Sequence, residues 1–243
     1  DINTSDKLDS IRSQAIDVAK EVGMASSDVI NAIADTLQAG VGGMEESIQV
    51  ARSAMILANV GDMTQEAASS ALNTIINGYK LDPLKQIDVQ VGGLTQKTTE
   101  LANAMDLLNH AGNNYAIGAD GVAEAMQRGG TVLSEYGVSM QDAVGLITAA
   151  NESIQNPEKV GNAMKSLAIN MSGIKANASK GTMELNKTAK ALKEIAGIDV
   201  YSDKSKGQVK DMVQILDELN VKLKEGKIGH DEYLALSEAL AGK

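Results

Sequence analysis

Val209-Lys210-Asp211-Met212-Val213-Gln214-Ile215-Leu216-Asp217-Glu218-Leu219-Asn220-Val221-Lys222-Leu223-Lys224 is the stretch from which the rest of the chain is read. Val209, Met212, Val213, Leu216, Leu219 and Leu223 recur at steps of three and four residues, which places all six on one face of an α-helix. Lys210, Asp211, Asp217, Glu218, Lys222 and Lys224 occupy most of the other face. Carried outward, the same periodicity predicts helices at 6–22, 27–39, 44–60, 65–77, 95–111, 120–134, 140–154, 157–171, 183–196, 208–225 and 231–240. Strand-like alternation is confined to Val89-Gln90-Val91, too short to support a sheet. Of the 243 residues 43% are hydrophobic, yet only 2% are aromatic: five Tyr, no Phe and no Trp. A core must therefore come from Ala, Leu, Ile, Val and the 11 Met. That favours close-packed helices, since sheets lean on aromatic and β-branched residues. The expected fold is all-α, a segmented array of short amphipathic helices turned at glycine corners.

The corners have their own chemistry. Gly23, Gly61 and Gly137 each follow a helical run, Ser26, Thr64 and Ser139 stand two or three residues later, and Asp28, Glu66 and Asp142 fall five residues past the glycine. Such a glycine can close a helix in the left-handed region, the hydroxyl can cap the next helix, and the acid meets that helix's positive end. Asp82-Pro83 and Asn156-Pro157 read as a second kind of start, a capping side chain before proline at the first helical position. Gly129-Gly130 and Gly40-Val41-Gly42-Gly43 read as helix ends; no strand precedes them and no GK[ST] follows, so they make no phosphate loop. Two segments look loose, Gly78 to Gly93 and Ser172 to Gly181. The first divides an N-terminal helical segment, 1–90, from a core region, 91–243; the second reads as a mobile loop. The start at Asp1 without Met, and the stop at Leu240-Ala241-Gly242-Lys243, read as cuts within a longer protein.

Charge and composition exclude several functions. The net charge is −10, from 22 basic and 32 acidic side chains, which disfavours direct nucleic-acid binding. Without cysteine there is no disulfide, thiolate zinc site or thiol nucleophile. No run is long and apolar enough for a membrane span. His110 and His230 stand 120 residues apart with no ligand-spaced partner. The acid pairs Glu45-Glu46, Asp217-Glu218 and Asp231-Glu232 read as solvated or first-turn charges rather than general acids. Met105, Met126, Met140, Met164 and Met171 fill apolar helix faces, with an adaptable partner groove as the sharper alternative. No catalytic, cofactor or metal site is expected.

The block Leu107-Leu108-Asn109-His110-Ala111-Gly112-Asn113-Asn114-Tyr115-Ala116-Ile117, followed by Asp120-Gly121-Val122-Ala123-Glu124-Ala125-Met126-Gln127-Arg128, resembles the core region of phage tail tape-measure proteins. Leu146-Ile147-Thr148-Ala149-Ala150-Asn151-Glu152 and Ile154-Gln155-Asn156-Pro157-Glu158-Lys159-Val160-Gly161-Asn162-Ala163-Met164-Lys165 resemble that family's next motif, in the same order. Ile195-Ala196-Gly197-Ile198-Asp199-Val200 and Glu238-Ala239-Leu240-Ala241-Gly242-Lys243 are similar to its closing elements. Where the family carries arginines, this chain reads Ile169-Asn170-Met171-Ser172-Gly173.

The resemblance implies a virion structural protein of the tail lumen, one that helps set tail length during assembly and leaves ahead of the DNA. It implies the tail tube protein, tail assembly chaperones and tail-tip or baseplate proteins as partners, together with self-association. Its motif positions are Gly112, Asn113, Asn114, Tyr115, Asn151, Asn156, Pro157, Gly161 and Gly242. As one continuous helix the chain would span ~365 Å at 1.5 Å per residue, and the glycine corners argue instead for a folded module. A general helical scaffold module is the alternative; a wall-degrading enzyme lacks support in the residues.

Overall fold

The computed structural model describes residues 4–177, 182–205 and 207–242. Among them lie eleven helices: α1 (Thr4–Val22), α2 (Ser26–Gln38), α3 (Met44–Val60), α4 (Gln65–Tyr79), α5 (Glu100–Asn114), α6 (Gly118–Glu135), α7 (Met140–Ile154), α8 (Pro157–Met171), α9 (Lys187–Ala196), α10 (Met212–Lys224) and α11 (His230–Leu240). Three two-stranded antiparallel hairpins interrupt them: β1 (Gln86–Val91) with β2 (Leu94–Thr99), β3 (Ile174–Asn177) with β4 (Thr182–Leu185), and β5 (Tyr201–Asp203) with β6 (Gln208–Val209). The chain is predominantly α, as its periodicity predicts. No described helix is long and apolar enough to cross a membrane.

The structure divides into two compact units, Asp1–Thr131 with Val144–Gly161, and Val132–Ala143 with Asn162–Lys243; α6, α7 and α8 lend residues to both. In the first unit α1 packs on α2 and α3, α2 on α3 and α4, and α3 on α4 and α5. Val50, Ala51, Ala54, Met55, Leu57 and Ala58 are all buried, so α3 is covered on more than one side. Two asparagines fasten helix ends: Asn59 on α3 donates to the carbonyl of Val22, the last residue of α1, at 3.0 Å, and Asn77 on α4 donates to Ala39, just past α2, at 2.9 Å. Carbonyls at a helix C-terminus have no partner within the helix, and these amides supply one.

In the second unit α9 packs on α11. Leu192, Ile198, Val200, Met212, Ile215 and Leu236 are buried there. The end of α11 is fastened in the same manner as α1: Asn170 donates to Leu240 O at 2.9 Å and Thr188 donates to Ala239 O at 2.8 Å. Asn186 caps α9 by accepting from Ala189 N at 2.8 Å and also donates to Asn170 O. Asp211 caps α10 through Gln214 N at 2.8 Å.

Several expected corners are corrected. Thr64 caps α4 and Ser139 accepts from Asp142 N, but Ser26 lies inside the first turn of α2, whose N-cap is Ala25 and makes no side-chain bond. Gly23 and Gly137 take positive φ, whereas Gly61 has φ −90° and the following Asp62 carries the left-handed angle. Asn156-Pro157 opens α8, with Asn156 Oδ1 accepting from Lys159 N at 2.8 Å. Asp82-Pro83 opens no helix: Asp82 Oδ1 accepts from Leu84 N in a local turn that leads into β1. Gly129-Gly130 lies within α6 rather than at a helix end. Residues 174–177 of the expected loop form β3, while 178–181 lie outside the described residues.

Residues 95–99, expected to be helical, are β2. Val89-Gln90-Val91 is part of β1, and its partner strand is Thr-rich and polar, so it carries no apolar alternation of its own. Gly92 and Gly93, both at positive φ, make the two-residue turn, a geometry open to glycine. No residue from Lys85 to Glu100 is buried. The hairpin base is closed by Glu100 N–H donating to Lys85 O at 3.0 Å, by a Lys85–Glu100 ion pair at 2.6 Å, and by Asp82 N–H donating to the Glu100 carboxylate at 2.8 Å. The Lys85 ammonium, followed by the Asp82 amide, holds the Glu100 carboxyl below its ordinary pKa. A depressed folded-state pKa contributes stability that is fully present above the unfolded value of about 4.3 and is lost as pH falls through the folded value. Acidification through that window is expected to release the Asp82 and Glu100 amides to hydrogen exchange before the amides of the α5 core. Equal protection of both sets down to global unfolding would refute the link.

Candidate functional site

Three of the motif residues, Gly112, Pro157 and Gly161, pack against α6 in the first unit. Along that helix Gly121, Ala125 and Gly129 recur every four residues, the glycines without a side chain and Ala125 with only a methyl group, and their backbone faces the start of α8. A β-carbon on Gly129 would stand 2.6 Å from the carbonyl oxygen of Gly161; one on Gly161 would stand 2.6 Å from Ala125 O and 2.7 Å from Arg128 Cβ. Gly121 faces Pro157, where a β-carbon would come within 2.9 Å of the ring. Gly112 near the end of α5 abuts the Ala119 backbone, and Gly78 in α4 leaves room for Thr131. Small residues on α6 and on its neighbours therefore set how closely α4, α5 and α8 approach it. Arg128 adds a bridge from α6 to α8, 3.2 Å from the Glu158 carboxylate.

Asn151 extends this arrangement from α7. It is buried, and its Nδ2 donates at 3.0 Å to the carbonyl of Ala116 in the α5–α6 corner. Tyr115, at the C-cap of α5, is exposed and donates its N–H to Ala111 O. Asn113 and Asn114 lie on the exposed last turns of α5, bonded to Asn109 Oδ1 and His110 O respectively. Asn156 and Pro157 begin α8. Gly242 belongs to the second unit, where at φ +76° it follows α11, and a β-carbon there would reach 2.9 Å from Asn170 Nδ2. Asn170 stands in the stretch Ile169-Asn170-Met171-Ser172-Gly173, and its amide serves the α11 carbonyl. The packing and fastening roles of Gly121, Gly129, Asn59, Asn77, Asn170 and Thr188 escaped the sequence reading. The four-residue spacing of Gly121, Ala125 and Gly129 was a signal that could have found the crossing; the asparagine fasteners have no local signature.

Several of the charged groups have structural partners. Glu46 accepts from Gly43 N at 2.9 Å and Glu232 from Gly229 N at 2.7 Å, each at the start of its own helix. His110 and His230 are exposed. Among the described residues no three of His, Asp and Glu come together as a metal site. A cleft of about 600 Å³ in the second unit is lined by Tyr136, Met171, Lys210 and Asp211 among others. Lys210 is engaged with Glu218 at 2.6 Å and Asp211 with the α10 cap.

Substitution separates the crossing from ordinary helix glycines. Gly161→Ala is expected to destabilise by about 1–3 kcal/mol, the cost of overpacking. Gly145→Ala, at an exposed α7 position with nothing within 4 Å of its would-be β-carbon, is expected to stabilise by roughly 0.5–1 kcal/mol. Urea midpoints measure both, and equal shifts would refute the crossing as a constraint.

Residues 12–240 match the sequence model of the family described as phage-related minor tail protein. No solved structure matches the chain.

Proposed function

Because the chain belongs to the phage-related minor tail protein family, a structural component of the phage tail, we propose that it is a folded segment of the tail's length tape measure. In this reading it rides in the tail tube during assembly, meets the tube protein, the assembly chaperones and the tail-tip or baseplate proteins, associates with further copies of itself, and leaves ahead of the genome. The observation that carries the reading is the ordered set of motifs between Leu107 and Lys165, in which Gly112, Pro157 and Gly161 pack on one glycine-lined helix and Asn151 fastens the corner before it.

The helix lengths favour a module over a ruler. The longest described helix, α1, has 19 residues, or about 28 Å of rise, and short corners fold α1 to α4 against one another. Length measurement then falls to other parts of the tail, and this segment acts in starting assembly or in delivery.

An in-frame deletion of the segment from the gene that encodes it, with tail lengths read by electron microscopy, tests this. The module reading predicts tails of unchanged length that fail to infect, or no tails at all. Tails shortened by up to ~365 Å, the limit for a continuous helix, would overturn it and make the segment an extended part of the ruler.

A further inference from the structure

We propose that the groove between α2 and α4 is a docking site for a basic polypeptide segment. Two adjoining hollows, of about 390 Å³ and 440 Å³, share Asp35 and Glu66 in their walls. Together they run along α2 from Asp28 to Ala39 and along α4 from Gln65 to Asn77, about 17 Å on each helix at 1.5 Å per residue. An extended chain of roughly five residues covers that length.

The charged groups of the groove are all acceptors. Neither Asp35 nor Glu66 is in an ion pair among the described residues, and α2 and α4 contain no Lys or Arg. From Glu21 to Tyr79 there are seven acidic side chains and one basic, Arg52, which is bonded to Glu21. The second observation is Asn73, which lines the same groove. It is 7% exposed, and its Oδ1 has no hydrogen-bond partner among the described residues. An acceptor withdrawn from water without a donor costs free energy that a ligand's N–H groups recover.

Guanidinium and ammonium groups have donors and no acceptors, so they match two carboxylates and a buried carbonyl oxygen. The neutral amides and hydroxyls along the walls, Asn31, Gln38, Gln65 and Thr74, suit a peptide backbone, which a free polyamine lacks. The groove exists only where α2 packs on α4, so the site belongs to the folded form of the segment.

The test is binding of a fluorescein-labelled peptide of alternating Arg and Ser to the whole chain, followed by anisotropy at low and physiological salt. Binding is expected to saturate and to weaken by about tenfold in the double variant Asp35→Asn/Glu66→Gln, whose positions are exposed or on a first turn. Asn73→Ser, with helicity checked by circular dichroism, is expected to weaken it as well. The control Asp217→Asn/Glu238→Gln removes the same charge elsewhere and is expected to change affinity by less than about twofold. Equal losses in control and groove variants, or no saturable binding, would overturn the site. Spermidine displacing the peptide at equal concentration would reassign the groove to free polyamines and overturn the polypeptide as its occupant.

Discussion

The backbone contact between α6 and α8 is the constraint on which the first unit depends. Gly129 and Gly161 oppose each other with no side chain between them, and the room either would need for a methyl group is already filled by main-chain atoms. An aromatic core can tolerate helices spaced by bulky rings. This chain has no Phe or Trp, so burial comes from many small contacts, and dispersion falls steeply with separation. Close approach is what lets Ala, Val and Leu exclude water here. Gly112 and Gly78 extend the same solution from α6 to α5 and α4.

Polar fasteners complete what the small residues begin. Asn59, Asn77, Asn151, Asn170 and Thr188 each donate a side-chain hydrogen bond to a carbonyl at or near the end of another element. Short helices have a large share of their carbonyls in the last turn, so an array of them carries an unusual load of unpaired acceptors. Each fastener meets part of that load and fixes where one helix ends against another, which alanine contacts alone leave undetermined.

The helices were legible because their apolar residues repeat at helical spacing, and all eleven lie where the periodicity places them, with ends displaced by a few residues. The hairpins were not. Thr95, Gln96, Lys97, Thr98 and Thr99 pair with Gln86–Gln90 through main-chain bonds that leave no apolar pattern, and Gly92-Gly93 read equally well as a domain boundary. Thr188-Ala189-Ala191-Leu192 kept its helical period, so only the first residues of the expected 183–196 helix went to β4. Gly129-Gly130 was misread because a glycine pair usually ends a helix; only the position of Gly161, thirty-two residues later, explains why it is tolerated inside one. The fasteners were illegible for a related reason, since an amide that serves a carbonyl tens of residues away leaves no trace in its own neighbourhood.

The order of the helices has a kinetic consequence. In the first unit each of α1 to α4 packs chiefly on its chain neighbours, and in the second α9 packs on α11 with only one helix between. Loops closed between such neighbours are short, and chains dominated by local contacts fold in about microseconds to milliseconds. If the chain is drawn through a passage too narrow for packed helices, its tertiary contacts are lost, but the pairs that re-form first are those never far apart along the chain. Reassembly on the far side then costs little time.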